Sequence, residues 1–173
     1  MQTTEKDLID QSLALDTDAY GQLVDRYKVS IYHHCFAILR DEDAAEDVAQ
    51  ETFIAAYYKL NTFDDSRKFS TWLFKIATNK CLNELKKAKR TIGIDEEMIQ
   101  TIVSPHKTAE ELSADSEVHV AVARLKPEYR AIVEMHYFQA MNYEEIAEIM
   151  GRPVGSIKGW MSRAKRELRK ELA

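Results

Sequence analysis

The sequence predicts an all-α protein: an N-terminal four-helix module and a C-terminal helix-turn-helix module joined by a flexible acidic linker. Three observations carry this. Ala, Leu, Ile, Glu and Lys are abundant, whereas five glycines and three prolines are too few for the turns of a sandwich or barrel. Apolar residues recur at steps of three and four through most of the chain, the period of amphipathic helices. One long stretch lacks that period: Ile94–Ser116 holds six acids and one lysine and contains Ser104-Pro105. The resulting division is 1–92, a linker over 93–116, and 117–173.

The elements follow in order. Asp7–Leu15 is short and amphipathic. Asp16 caps a long second helix reaching about Leu39, with Tyr20, Leu23, Val24, Tyr27, Ile31 and Cys35 on one face. Arg40-Asp41-Glu42-Asp43 breaks the pattern, and its acids suit the positive N-terminus of a third helix. That helix runs to about Leu60, with Ala45, Val48, Ala49, Phe53, Ala56 and Leu60 facing inward. A polar loop from Asn61 to Lys68 leads into a fourth helix from about Phe69 to Arg90. After the linker, Pro127 fits the first position of a helix reaching about Phe138. Asn142 and Glu145 have capping-box spacing and open a short helix to Met150, which Gly151 ends. Pro153 starts a last helix running nearly to Leu172.

The net charge of −5 argues superficially against a nucleic-acid partner, but its distribution reverses that impression. From Arg67 to Arg90 eight basic residues stand against one acid; from Arg152 to the end seven stand against two. Screening limits such fields to about a Debye length, ~8–10 Å, so local charge is what a phosphate meets. Two cationic patches separated by an acidic linker indicate two contacts with one long polyanion.

Asn142–Arg166 has the build of a helix-turn-helix, with Gly151-Arg152-Pro153 as its turn. Val154, Ile157, Met161, Ala164 and Leu168 share one face of the second helix and should rest on Ile146, Ala147 and Met150. The other face carries Gly155, Gly159, Ser162, Arg163, Arg166 and Lys170. Its cations can bond phosphates or guanine edges. Its glycines, each costing about 1 kcal/mol within a helix, would let backbone approach DNA. In the fourth helix Leu73, Ile76, Ala77 and Leu85 form a buried stripe, and Trp72, Lys75, Asn79, Asn83, Lys86 and Arg90 recur on another face. Amides read base edges, cations hold phosphates and aromatics stack on exposed bases. Ahead of it, Phe63, Asp64, Asp65, Arg67, Lys68 and Phe69 form a polar loop with aromatic ends, able to hold a base swung out of a duplex. Taken alone, this segment fits a plain core-and-solvated-face helix equally well. The third helix has a second, mixed face of Asp47, Glu51, Ile54 and Tyr58 with Gln50 alongside, suited to a basic amphipathic partner or to ordinary solvation.

The chain resembles sigma factors of the extracytoplasmic-function group of the sigma-70 family. The resemblance spans nearly all of it, most specifically Asp41–Phe53 (DEDAAEDVAQETF), Phe69–Asn83 (FSTWLFKIATNKCLN) and Leu125–Arg166 (LKPEYRAIVEMHYFQAMNYEEIAEIMGRPVGSIKGWMSRAKR). It implies a factor that binds bacterial core RNA polymerase and directs promoter recognition, melting and initiation for a stress or envelope regulon, held in check by an anti-sigma factor. Asp47, Gln50, Glu51, Phe53 and Ile54 would dock on the polymerase. Phe63, Asp64, Arg67, Lys68, Phe69, Ser70, Thr71, Trp72, Lys75, Asn79, Asn83 and Lys86 would open and read the −10 element. Arg152, Pro153, Val154, Gly155, Ser156, Lys158, Gly159, Ser162, Arg163 and Arg166 would read the −35 element in the major groove. The linker would thread toward the polymerase active-site cleft. Where the family usually has a serine-arginine pair after the recognition-helix lysine, this chain has Gly159-Trp160. Trp160 would pack on its module or on sugars.

Other classes fare worse. No apolar run reaches the roughly 20 residues of a membrane span, and the N-terminus lacks the basic start and apolar stretch of a signal peptide, so the expected place is the cytoplasm. Cys35 and Cys81 are expected as free, buried or semi-buried thiols. His33-His34-Cys35 is contiguous on a helix, so these side chains point about 100° apart and cannot converge on one metal. No CxxC, HExxH or Gly-rich phosphate loop occurs; no catalytic residue, cofactor, metal or small-molecule substrate is expected. The rival reading is a one-component helix-turn-helix regulator binding duplex operators without polymerase, usually as a dimer. The sequence leaves open whether the modules of the free chain pack together; acid–base contact between them, through the linker or the third helix, is one way DNA binding could be masked.

Overall fold

The computed structural model describes residues 2–93 and 116–173. Among these all regular structure is helical: α1 (Glu5–Leu13), α2 (Thr17–Leu39), α3 (Glu42–Lys59), a 3-10 turn (Leu60–Thr62), α4 (Phe69–Ile92), α5 (Ser116–Ala123), α6 (Pro127–Tyr137), α7 (Tyr143–Met150) and α8 (Val154–Leu172). The acidic linker expected over Ile94–Ser116 lies, up to residue 115, outside the described residues.

Local chemistry sets the boundaries. The Thr4 hydroxyl accepts the Asp7 N–H at 3.1 Å while the Asp7 carboxylate accepts the Thr4 N–H at 3.1 Å. This capping box starts α1 two residues before the position expected from periodicity. Asp16 caps α2 through the N–H groups of Asp18 and Ala19, and Asp41 caps α3 through that of Ala44. Left-handed residues stop three helices: Arg40 at φ 56°, Gly93 at φ 64° and Gly151 at φ 62°. Glycine carries no Cβ penalty there; Arg40 does.

In the first module α2 packs on α1, α3 and α4, and α3 packs on α4. In the second, α8 packs on α5, α6 and α7. The modules share one apolar core, because α6 lies on α2 and α7 on α4. Every residue of α6 from Tyr129 to Met135 is buried, so this helix is enclosed all round.

Two of those residues are charged, and each is partnered across the module boundary. Arg130, 3% exposed, donates to the carbonyls of Ala37 at 2.9 Å, Leu125 at 2.6 Å and Ile38. Ala37 and Ile38 lie in the last turn of α2, where carbonyls lack helical partners and the dipole is negative. Arg130 of the second module is therefore the cationic cap of a first-module helix. Burial pushes its pKa down to about 10, aided by the Arg40 charge and opposed by Glu128, so it stays charged at neutral pH. Glu134 lies 2.5 Å from His34 Nδ1 and accepts the Gln139 amide at 2.7 Å. His34 Nε2 lies 2.7 Å from the Thr78 hydroxyl. The expected free thiols, Cys35 and Cys81, are both buried. A hydrogen bond to Cys35, then burial, push the Cys81 thiol far above its ordinary value.

Candidate nucleic-acid and polymerase interfaces

The helix-turn-helix is built by its caps. Asn142 Oδ1 accepts the Glu145 N–H at 2.8 Å, and Glu145 Oε2 accepts the Asn142 N–H at 2.9 Å. Gly151 then reverses the chain, and Pro153, at φ −59°, leads into α8. Ile157, Met161 and Ala164 are buried, with Val154 and Leu168 packed partly against the same core. Arg152, Pro153, Gly155, Lys158, Ser162, Arg163 and Arg166 are exposed, and Ser156 and Gly159 half-buried. A Cβ added to Gly155 or Gly159 meets nothing within 4 Å, so no contact inside the chain requires glycine there. Trp160 packs on its own module: its ring centroid lies 6.2 Å from that of Tyr129. The Arg152 guanidinium sits 5.7 Å from the Trp160 ring centroid, a cation–π contact that holds a second cation beside the recognition face.

The second cationic surface starts at the loop before α4. Asp64 accepts the Ser66 N–H at 3.0 Å and its hydroxyl at 2.7 Å, a turn that orders the loop. These two bonds, with the Arg67 charge, hold the Asp64 carboxyl below its ordinary range against the small opposing effect of burial. Phe63, Phe69 and Trp72 form an aromatic cluster with centroids 5.3–5.6 Å apart, and Tyr27 of α2 abuts Phe69 at 5.6 Å. Trp72 and Phe63 stay half-buried at its edge, and Lys75, Asn79, Asn83 and Lys86 are exposed along α4. Two residues differ from expectation. Phe69 and Thr71, expected to face DNA, are 3% and 4% exposed. Phe69 anchors the loop through the aromatic cluster, so its side chain positions its neighbours. Ser70 is half-buried.

On α3, Asp47, Gln50, Glu51, Ile54 and Tyr58 are exposed together, Ile54 at 59% and Tyr58 at 78%. Phe53 is half-buried against the core, and its carbonyl accepts the Tyr20 hydroxyl. It fixes the pose of α3 more than it offers a surface.

Sequence reasoning missed where the cationic loop finds its acids. Arg67 Nη1 lies 2.5 Å from Glu148 and Lys68 Nζ 2.6 Å from Glu145, both on α7. The expectation placed such contacts on the linker or the third helix. Spacing alone carries no signal for it, since the partners lie 81 and 77 residues apart. Arg130 and Glu134, isolated charges inside the run Ala131–Phe138 and just before it, were the available hint that α6 is enclosed.

Comparison with known proteins converges on one family. Residues 23–91 match the model for Sigma-70 region 2, and residues 115–168 the model for Sigma-70, region 4. The chain is 35% identical over 169 residues to the ECF RNA polymerase sigma factor SigW of Bacillus subtilis, covering 91% of this chain and 90% of that one. It is 30% identical over 186 residues to the RNA polymerase sigma-H factor of Pseudomonas aeruginosa, covering 99% and 96%. Among solved structures, CnrH in complex with the cytosolic domain of CnrY aligns at TM-score 0.71 with 26% identity, over 95% of this chain and 94% of that one. The sigma factor RpoE of Bartonella quintana, in complex with the anti-sigma factor NepR, aligns at TM-score 0.74 with 23% identity over 88% and 96%, a likeness of fold. With two collinear family matches lying on the modules that carry the cationic faces, the chain belongs to the extracytoplasmic-function group of the sigma-70 family, whose members direct RNA polymerase to initiate transcription.

Proposed function

We propose that this sigma factor divides its work between residues 1–92, which bind core polymerase and the −10 element, and residues 117–173, which bind the −35 element, with 93–116 as a connecting strap. On α3, Asp47, Gln50, Glu51 and Ile54 meet the polymerase, with Phe53 behind them. Arg67, Lys68, Lys75 and Lys86 hold phosphates of the displaced strand. Trp72, Asn79 and Asn83 take unstacked bases on ring and amide, while Phe63, Asp64, Phe69, Ser70 and Thr71 shape the pocket. On α8 and its turn, Arg152, Lys158, Ser162, Arg163 and Arg166 contact duplex DNA, and Pro153, Val154, Gly155, Ser156 and Gly159 allow close approach.

The observation that carries this reading is that both cationic faces are solvent-facing on separate helices: Lys75, Asn79 and Asn83 on α4, Arg163 and Arg166 on α8. One face with amides and an aromatic suits single strands; the other, on a capped helix-turn-helix, suits a major groove. Melting follows because the first module binds the open strand better than the closed one, and opening shifts only by that difference. The chain makes and breaks no bond; catalysis belongs to the polymerase, and the place of action is the cytoplasm. An anti-sigma factor fits as a further partner, since RpoE of Bartonella quintana is in complex with the anti-sigma factor NepR and CnrH with the cytosolic domain of CnrY.

Run-off transcription tests this. Purified core polymerase with this chain, on a promoter library, should start transcripts that core alone does not. A footprint on duplex operators by the chain alone, with no new transcript from the mixture, would favour the one-component regulator.

A further inference from the structure

We propose that Trp160 is a positioning residue for promoter binding: its ring holds the Arg152 guanidinium on one flank of α8, where Arg152 takes a backbone phosphate of the −35 duplex. This rests on the assignment of α8 to the major groove, and adds to it a residue whose effect on DNA runs through another side chain.

Both partners of this contact are held by their surroundings. Gly151, at φ 62°, turns the chain out of α7, and the Arg152 N–H donates to the Ala147 carbonyl at 3.1 Å. Pro153 then locks the next φ at −59°. The Arg152 side chain therefore leaves the turn from a defined point. Trp160 is fixed from the other side: it is half-buried on the core, with its ring centroid 6.2 Å from that of Tyr129 on α6. The Arg152 guanidinium lies over this ring, 5.7 Å from its centroid, within the roughly 6 Å reach of a cation–π contact. Among the described residues that guanidinium makes no hydrogen bond or ion pair, so the ring orients it while its N–H donors stay available.

The place of the contact on α8 selects phosphate over base. Successive residues of a helix turn by about 100°. Ile157, Met161 and Ala164 mark the buried side of α8, and Gly155, Ser162 and Arg166 the opposite, exposed side. Trp160 lies between the two, in one row with Ser156 and Arg163 at steps of four and three. A helix in the major groove turns its outer face to base edges and its flanks to the two sugar-phosphate strands. A cation held on a flank meets phosphate first, and the planar guanidinium fork can take two phosphate oxygens at once. An arginine free in solvent loses rotamer freedom when it binds, whereas one already resting on a ring loses less. Trp160 thus raises affinity through the pose of Arg152 and carries no base information of its own.

The test uses the full chain assembled with core polymerase. The probes are duplex fragments carrying a promoter recovered by run-off transcription, titrated at a temperature where no thymine reacts with permanganate, so that duplex contact alone is read. R152A should bind about three- to tenfold more weakly, by the same factor on fragments with single base pairs changed in the −35 element, and with a salt slope smaller by about one. W160L keeps apolar bulk against Tyr129 but offers no ring face; it should bind about two- to fivefold more weakly, and W160F should return to within about twofold of wild type. In an R152A background W160L should cost nothing further. Where W160L lowers the denaturation midpoint, the milder W160F carries the same cycle. A W160L loss just as large in the R152A background, or equal to that of W160F, would overturn the positioning role. An R152A loss that depends on the identity of one base pair would overturn the phosphate contact. The reading beneath is tested by R163A/R166A. If that variant binds the duplex as wild type does, α8 does not lie in the groove and the role of Trp160 falls with it. Loss there, with none in R152A or W160L, would sink the positioning alone.

Discussion

Arg130→Met is the sharpest perturbation of the account, because it removes a charge whose partners are all backbone carbonyls while keeping an apolar stem of similar length. The guanidinium is buried and donates to Ala37, Ile38 and Leu125, so two of its three acceptors belong to the other module. Hydrogen bonds from charged donors contribute about 1.5–3 kcal/mol each, and removing a donor leaves buried acceptors unsatisfied. Taking the low end for the two cross-module bonds gives a loss of about 3 kcal/mol in closure, on the order of a hundredfold in its equilibrium constant. The Leu125 bond adds a smaller loss within the second module. Urea unfolding followed by far-ultraviolet circular dichroism should show a wild-type transition in which both modules unfold together. In R130M the second module should uncouple, giving two transitions or one visibly broadened. Amide hydrogens in the last turn of α2 should exchange faster. A single transition of unchanged slope, less than about 1 kcal/mol from wild type, would refute the assignment of Arg130 as the tie between modules.

Other predictions are more local. W72A/N79A should lower open-complex formation by about 10- to 100-fold, the loss expected for one stacked base, and change polymerase binding far less; competition for core and permanganate reactivity measure the two, and equal losses would contradict the assignment. N142A removes the Glu145 N–H acceptor and should destabilise the helix-turn-helix by about 1 kcal/mol, read as a lower denaturation midpoint; an unchanged midpoint would mean the cap is idle. Cys35 and Cys81 are fully buried and the Cys81 thiolate is strongly disfavoured, so a thiol reagent at pH 8 should titrate none in the folded chain and two in denaturant.

The parts of this fold legible in the sequence are those set by neighbours a few residues apart. The Asn142–Glu145 box, the Gly151 stop, the Asp16 cap and the buried stripe of α8 depend on local hydrogen bonds and a 3.6-residue period, and all occur where the spacing put them. The start of α1 was legible too, in Thr4 and Asp7, but periodicity pointed past it. The relation between modules was not legible, because it depends on which helix faces meet. His34 read as one member of a contiguous His-His-Cys run; its role appears only where Glu134 and Thr78 converge on it, 100 and 44 residues away. Phe69, at the aromatic end of a polar loop, read equally as a base-holding residue and as a core residue; Tyr27, Phe63 and Trp72 enclose it. The acids opposite the cationic loop were sought on the linker and the third helix, whereas two of the three glutamates of α7 supply them.

The direct trial of two-surface promoter recognition is a combined footprint on one promoter fragment, with hydroxyl-radical cleavage and permanganate oxidation applied to the same complex of this chain and core polymerase. The account predicts two protected stretches, the upstream one fully paired and lost on changing Arg163 and Arg166 to Ala, the downstream one containing permanganate-reactive thymines that W72A/N79A silences. Two symmetric protected half-sites without reactive thymines, formed equally well in the absence of polymerase, would contradict it.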